Sequence, residues 1–62
     1  MTDVETFHLG DRARINEHNL VGIVIRTDRT EAGEQQVYLG GGVGLYRGPW
    51  WADELTLVWR KP

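Results

Sequence analysis

The feature that most constrains the fold is a short apolar run at residues 20–27. It carries the β-branched side chains Val21, Ile23, Val24, Ile25 and Thr27. Such side chains lose rotamer freedom in a helix and pack well on a pleated surface. Polar clusters at residues 16–19 and 28–31 bound the run. Its shortness and β-branching predict a strand, and Gly22 within it predicts a bulge or a close backbone approach.

Apolar residues occupy both alternating sets of this strand. One set contains Val21, Ile23 and Ile25, and the other contains Leu20 and Val24. A strand with one buried and one solvated face would alternate more cleanly. The pattern fits a central strand of a small curled barrel that is partly covered on both sides. It also fits a strand with one face in an oligomer interface.

The segments beside this run also show strand patterns. Residues 12–15 alternate polar and apolar side chains, which predicts Ala13 and Ile15 inside. Residues 36–39 are predicted to pair back on the central strand as a hairpin. The turning point is predicted at Ala32-Gly33, because glycine adopts positive φ without steric cost.

The second half of the chain predicts two shorter strands. Residues 45–47 are predicted as a short fourth strand that ends at Gly48-Pro49. Asp53 is predicted to cap a single 3₁₀ turn. The last strand is predicted to carry Leu55, Leu57 and Trp59 on the same face. No ten-residue stretch shows helical periodicity, so no α-helix is expected. About five short strands in a chain of this length indicate an all-β fold, a small bent antiparallel barrel.

The length of 62 residues corresponds to one domain. Residues 1–6 are predicted as a disordered tail and residues 7–60 as the domain. The chain has no cysteine and only two histidines, so neither disulfides nor a structural metal site is expected. A domain of this size buries only about 60% of its unfolded surface, so its stability requires a compact core or self-association.

Charge and hydropathy narrow the class of partners. No apolar run reaches the ~18 residues that a membrane span needs, and the opening residues do not resemble a signal peptide. A cytoplasmic protein that does not bind membranes is therefore expected. The net charge of −2 argues against general nucleic-acid binding, which usually requires a basic surface.

Three motifs resemble those of SH3-like barrels, a group that includes Tudor and KOW-type modules and many small bacterial and phage proteins. They are Leu9-Gly10-Asp11-Arg12-Ala13-Arg14-Ile15, Gly22-Ile23-Val24 and Trp51-Ala52-Asp53-Glu54-Leu55. The resemblance covers residues 7–60 and implies an SH3-like barrel with one 3₁₀ turn before the last strand. It implies no single function, because this fold hosts many activities.

A second resemblance concerns the plasmid-type (type II) dihydrofolate reductases, which work as tetramers around a central pore. Their opening is similar to residues 10–14. Their pore strand carries Val-Gln-Ile-Tyr, and the nearest match here is Val43-Gly44-Leu45-Tyr46, with Gly44 where the family has glutamine. This resemblance implies an oligomeric, NADPH-dependent reductase as one alternative function.

The aromatic residues indicate a binding function. Trp50 and Trp51 are adjacent, so in an extended segment one should be buried and the other exposed. Exposed aromatic side chains are enriched at recognition sites. The main hypothesis is a non-enzymatic module, without a cofactor, that docks a protein or peptide on Tyr46, Trp50 and Trp51, rimmed by Arg47 and Asp53. Alternatively, these aromatics serve the core and a self-association face.

Arginine dominates the basic residues and suggests a nucleic-acid-binding alternative. If Arg12, Arg14 and Arg26 share one outer face, they form a basic stripe. The competing interpretation is a solvated face paired with nearby carboxylates. The glycine-rich residues 40–44 lack the Gly-Lys-Ser/Thr of a phosphate loop and no helix is predicted after them, so a flexible turn is expected there.

Overall fold

The computed structural model describes residues 6–62, which form one antiparallel sheet of five strands. The elements are β1 (Arg12–Ile15), β2 (Leu20–Arg29), β3 (Gln35–Gly40), β4 (Trp50–Trp51), a 3₁₀ turn (Ala52–Glu54) and β5 (Leu55–Trp59). The strand order is β4-β3-β2-β1-β5. The predicted all-β fold, with five short antiparallel strands and a 3₁₀ turn before the last strand, is confirmed.

Of the tail predicted at residues 1–6, residues 1–5 lie outside the described part of the chain. Thr6 is described, and its carbonyl accepts a 2.7 Å hydrogen bond from the Arg60 guanidinium. Over residues 6–62 there is no helix that is long and apolar enough to cross a membrane.

The core lies on one face of the sheet and draws on every part of the chain. Its buried members are Phe7, Ala13, Ile15, Val24, Val37, Leu39, Val43, Ala52 and Leu55. No α-helix is present within the described residues to cover this face, so the sheet buries it by curling over itself. Ala13 and Ile15 point inward as predicted, while Arg12 and Arg14 point outward.

Gly22 marks the close approach that its position in the central strand predicted. A Cβ atom there would lie 2.8 Å from Val43 Cγ1 and 3.0 Å from the Gly40 carbonyl oxygen. The glycine-rich segment therefore packs directly on β2. The bulge of β2 lies three residues later, because Val24 pairs with Leu39 while the next paired residue is Arg26.

The predicted strand at residues 45–47 is wrong. The Tyr46 N–H donates to the Val43 carbonyl at 3.1 Å, which closes a turn, and Gly44 adopts a positive φ of 61°. The short strand that pairs with β3 is β4. It begins at Trp50, five residues after Leu45. The chain passes into it through Gly48, where a Cβ atom would lie 2.8 Å from the Val37 carbonyl oxygen.

Two predictions about the last segment are also wrong. Trp59 does not share a face with Leu57, because a register shift between Arg12 and Ala13 inserts Val58 and turns Trp59 toward Arg12. Asp53 does not cap the 3₁₀ turn. The carboxylate of the next residue, Glu54, accepts the Trp51 N–H at 2.9 Å instead.

Two buried polar side chains fasten the lead-in segment to the sheet. The Gln35 side chain accepts the Phe7 N–H and donates to the Phe7 carbonyl, both at 2.8 Å. The Asp11 carboxylate accepts the His8 N–H at 2.8 Å and pairs with the Arg60 guanidinium at 2.8 Å. These contacts seat Phe7 in the core.

Candidate functional site

The sheet face turned away from the core, called here the outer face, combines aliphatic, aromatic and basic side chains. The register aligns Arg12 with Ile23 and Trp59, and Arg14 with Val21. Beyond the bulge it aligns Arg26 with Tyr38 and Gln36 with Trp51. Paired residues project on the same side of a sheet. The outer face therefore consists of Arg12, Arg14, Val21, Ile23, Ile25, Arg26, Asp28, Gln36, Tyr38, Gly40, Trp51, Thr56 and Trp59.

The aliphatic part of the outer face is open to solvent. Val21, Ile23 and Ile25 are 47%, 38% and 57% exposed. The outer side of this strand is therefore only partly covered within the fold, as expected, and the second apolar set stays substantially exposed. A Cβ atom at Gly40 would lie 3.1 Å from Ile25 Cγ2, so Ile25 lies flat over the glycine backbone.

The charge on the outer face is opposite in sign to that of the whole chain. It carries three arginines against the single carboxylate of Asp28, a surplus of two positive charges, whereas the chain has a net charge of −2. The Arg12 guanidinium lies 5.3 Å from the Trp59 ring centroid. Arg26 lies 5.2 Å from that of Tyr38 and pairs with Asp28 at 3.1 Å. Within residues 6–62, no hydrogen bond or ion pair engages the Arg14 side chain.

A shallow groove adjoins the outer face at Ile25. This groove, called here the glycine groove, has a volume of about 540 Å³. It is lined by Ile25, Gly40, Gly41, Gly42, Val43, Gly44, Leu45 and Arg47. Leu45 at its rim is 98% exposed. Because Ile25 and Gly40 belong to both features, the glycine groove and the outer face form one continuous surface.

Three rings gather beside the segment that forms the groove. The His18 ring lies 4.2 Å from Tyr46 and 5.9 Å from Trp50, centroid to centroid. The Trp50 indole N–H donates to the Tyr46 carbonyl at 2.8 Å. His18 belongs to the β1–β2 turn, where Asn19 adopts a left-handed conformation with φ of 55°. These three residues are called here the aromatic cluster.

The five residues of the predicted docking site fall into different surroundings. Tyr46 and Trp50 meet in the aromatic cluster, and Arg47 lines the glycine groove. Trp50 is half-buried against the core, whereas Trp51 is 40% exposed on the outer face, so the two adjacent indoles do point to opposite sides. Asp53 is exposed in the 3₁₀ turn.

Sequence reasoning missed two parts of this surface. His18 carries no motif, and its role follows only from the turn that brings it onto Tyr46. Trp59 was expected on the same face as Leu55 and Leu57, and only the bulge at Val58 turns it to the outer face. The exposed set of Val21, Ile23 and Ile25 did have a signal, because both alternating sets of β2 are apolar.

The pKa of Asp11, a buried carboxylate at the turn into β1, departs from its ordinary value. Hydrogen bonding to Arg60 lowers the pKa of Asp11, an effect that burial opposes, and the carboxylate is already engaged by Arg60 and His8. Within the described residues, no three His, Cys, Asp or Glu side chains gather where they could hold a metal ion. The surface offers rings, aliphatic groups, guanidinium groups and glycine backbone.

Comparisons with known proteins identify no relative. No family model matches the chain, and no curated protein or solved structure matches it either.

Proposed function

We propose that this chain is a non-enzymatic binding or assembly module that docks a protein or peptide partner. The docking site comprises the aromatic cluster and the glycine groove, which Arg47 helps to line. We include as further contacts the exposed Trp51 of the outer face and the exposed Asp53 of the 3₁₀ turn. The observation that carries the proposal is that two exposed aliphatic side chains, Leu45 at 98% and Ile25 at 57%, line the same open groove. Exposed apolar surface of this kind is typical of interaction sites.

The shape of the groove favours a polypeptide over a small molecule. Small-molecule sites usually bury 70–90% of a ligand in a concave pocket, whereas this groove is shallow and one wall is glycine backbone. Glycines permit the close approach of another main chain. A polypeptide can also cover Leu45 and the aromatic cluster together, which a compact ligand in the groove cannot.

The two alternative functions remain distinguishable by experiment. The residues that resemble the reductase pore motif, 43–46, lie in a turn rather than a strand, so we expect no NADPH oxidation with dihydrofolate. A nucleic-acid module would bind with a steep dependence on salt. Of the three arginines in the predicted basic stripe, Arg26 already has a carboxylate partner, which leaves the two guanidinium groups of Arg12 and Arg14 for phosphates.

Selection of peptides from a random displayed library against the full chain tests the proposal. Selected peptides should lose about fivefold or more in affinity with Tyr46→Ala and with Leu45→Ser, because truncating a central contact typically costs more than about 1 kcal/mol. Leu9→Ser is the matched control, since Leu9 is 64% exposed but does not line the groove. Urea unfolding of each variant separates loss of binding from loss of fold.

Two results would contradict the proposal. One is a library that yields no peptide enriched over a surface without the protein. The other is selected peptides whose affinity falls equally with Leu9→Ser and Leu45→Ser, because the contacts would then lie outside the glycine groove.

A further inference from the structure

We infer that the outer face continues the glycine groove into one docking surface, and that its occupant is an extended, acidic and apolar segment of a partner protein. The inference depends on the proposed function, because it names the chemical class of the partner. It adds a second set of contacts on β1 and β2, whose variants differ from those that test the groove.

The first support is the aliphatic stripe of β2. Val21, Ile23 and Ile25 are each at least 38% exposed and follow one another along a single strand. On the β3 side, Ile23 pairs with Gly40, which also lies against Ile25 and has no side chain to shield either residue. An isolated exposed aliphatic residue needs no explanation, but three in one row form a contiguous apolar surface. The occupant must therefore present apolar side chains along a line.

The second support is the row of arginines on β1. Arg12 and Arg14 are two residues apart on the same face, which separates them by roughly 7 Å along the strand. Each is paired across the sheet with an aliphatic residue, Ile23 or Val21. A guanidinium group beside apolar surface binds carboxylates well because it is weakly hydrated and presents a planar fork of donors.

These two rows fit an extended chain with alternating side chains. Adjacent strands lie about 4.8 Å apart, so the arginine row of β1 and the aliphatic row of β2 run side by side. In an extended peptide, alternate side chains point to opposite sides with a repeat of roughly 7 Å. A peptide lying between the rows can direct carboxylates to Arg12 and Arg14 and aliphatic groups to Val21 and Ile23.

Charge disfavours a second copy of the chain as the occupant. The outer face has a surplus of two positive charges. Two such faces packed on each other would bring four uncompensated positive charges together, and like charges in an interface cost free energy. An acidic segment neutralises the surplus instead.

The aliphatic stripe disfavours nucleic acid. A phosphate backbone gains nothing from Val21, Ile23 and Ile25, and would leave them partly exposed or force them against charged groups. A partner that is both acidic and aliphatic satisfies the two rows at once.

A defined peptide tests the inference directly. The probe is a ten-residue peptide of alternating glutamate and valine, blocked at both ends, titrated into the full chain while tryptophan fluorescence is followed. We expect saturable binding that weakens as salt is raised. Peptides that alternate lysine with valine, or glutamate with serine, should bind at least tenfold more weakly, since each lacks one of the two complementary features.

Two variants and one control complete the test. Arg14→Ser and Val21→Ser should each weaken binding of the glutamate–valine peptide at least threefold, since both residues are exposed on the outer face. Leu9→Ser is the matched control, because Leu9 is 64% exposed in the turn before β1 and belongs to neither the outer face nor the glycine groove. Unfolding curves establish that each variant is folded.

Several results would overturn the inference. These are no binding of the glutamate–valine peptide, equal binding of the lysine–valine peptide, and binding unchanged by Arg14→Ser and Val21→Ser. A stronger fluorescence response to oligo-dT than to the peptide would favour nucleic acid instead. If library selection yields neutral or basic peptides that depend on Leu45, the inference fails while the proposed function stands.

Discussion

Asp11 is a carboxylate that is 1% exposed at the turn leading into β1. Its partners are the Arg60 guanidinium and the His8 N–H, each at 2.8 Å. The Arg60 hydrogen bond holds the pKa of Asp11 below its ordinary value of 3.8. The ion pair therefore stabilises the fold above that value, and this contribution is lost as the pH falls through the lowered pKa of the folded protein.

The change Asp11→Asn should destabilise the protein by about 1.5–3 kcal/mol at pH 7, because it removes a charge-assisted hydrogen bond in a buried site. The loss in free energy of unfolding, relative to the unchanged protein, should become smaller as the pH is lowered below 3.8. Urea unfolding at pH 7 and pH 3 measures both effects. Asp53→Asn, at an exposed carboxylate, should alter stability by less than ~0.5 kcal/mol. An equal loss in free energy of unfolding at both pH values would contradict this pH dependence.

Gly22 is required by packing and not by backbone conformation. The change Gly22→Ala should cost about 1–3 kcal/mol, because the new methyl group meets Val43 Cγ1 at 2.8 Å and the Gly40 carbonyl oxygen at 3.0 Å. Gly40→Ala is the matched control, since its nearest contacts are exposed Ile25 side-chain atoms that can move away. Thermal or urea unfolding measures both variants. Equal losses of stability would contradict this assignment.

At the scale of elements, the Gln35 side chain takes the place of a neighbouring strand's backbone as the hydrogen-bond partner of Phe7. It makes the pair of hydrogen bonds to Phe7 that a neighbouring backbone would make in a sheet. The lead-in segment is thereby held against β3 without being a strand. Buried backbone groups that lose such partners carry the full cost of desolvation.

Gln35→Ala should therefore destabilise the protein by about 1–3 kcal/mol and accelerate hydrogen exchange at the Phe7 amide. Gln36→Ala, one residue along β3, is half-buried and should have a smaller effect on both measurements. If the Phe7 amide exchanges at the same rate in both variants, the side chain of Gln35 does not hold the segment.

Four of the five strands were predictable because their residues carry local signals. β-branching predicted β2, and alternation predicted β1. The fourth strand was misplaced because the apolar residues at 45–47 resemble a strand, whereas Gly44 and Gly48 adopt positive φ and direct the chain into a turn. Pairing with β3, a long-range event, determines that β4 begins at Trp50.

The docking surface was only partly predictable for the same reason. Tyr46 and Trp50 do meet, but His18 joins them through a contact between distant segments. The bulge at Val58 adds one residue to β5 and reverses the face of Trp59. Periodicity cannot reveal a bulge, because one inserted residue shifts every later side chain to the opposite face.

At the scale of the whole molecule, the domain separates its charges. The total charge is −2, yet the outer face has a surplus of two positive charges beside exposed aliphatic and aromatic groups. The buried core lies on the opposite side of the sheet. We propose that the outer face and the glycine groove serve a partner.

Sedimentation equilibrium at low salt should give the mass of a single chain, 7.1 kDa, across a concentration series. The reason is that repulsion between basic outer faces opposes their pairing. Self-association should increase, if at all, when added salt screens the arginines. A stable dimer or tetramer at low salt would indicate that the aliphatic stripe is covered by a second copy.

The most direct test of the proposed docking surface is an NMR titration with a library-selected peptide, in which the shift changes of the protein's backbone amides locate the bound peptide. We expect the largest shift changes in the glycine groove and on the outer face, at Gly41, Leu45, Arg14 and Ile23, with little change at the Gly33 turn. Changes confined to residues 28–34, or spread evenly over the sheet, would contradict the proposed docking surface.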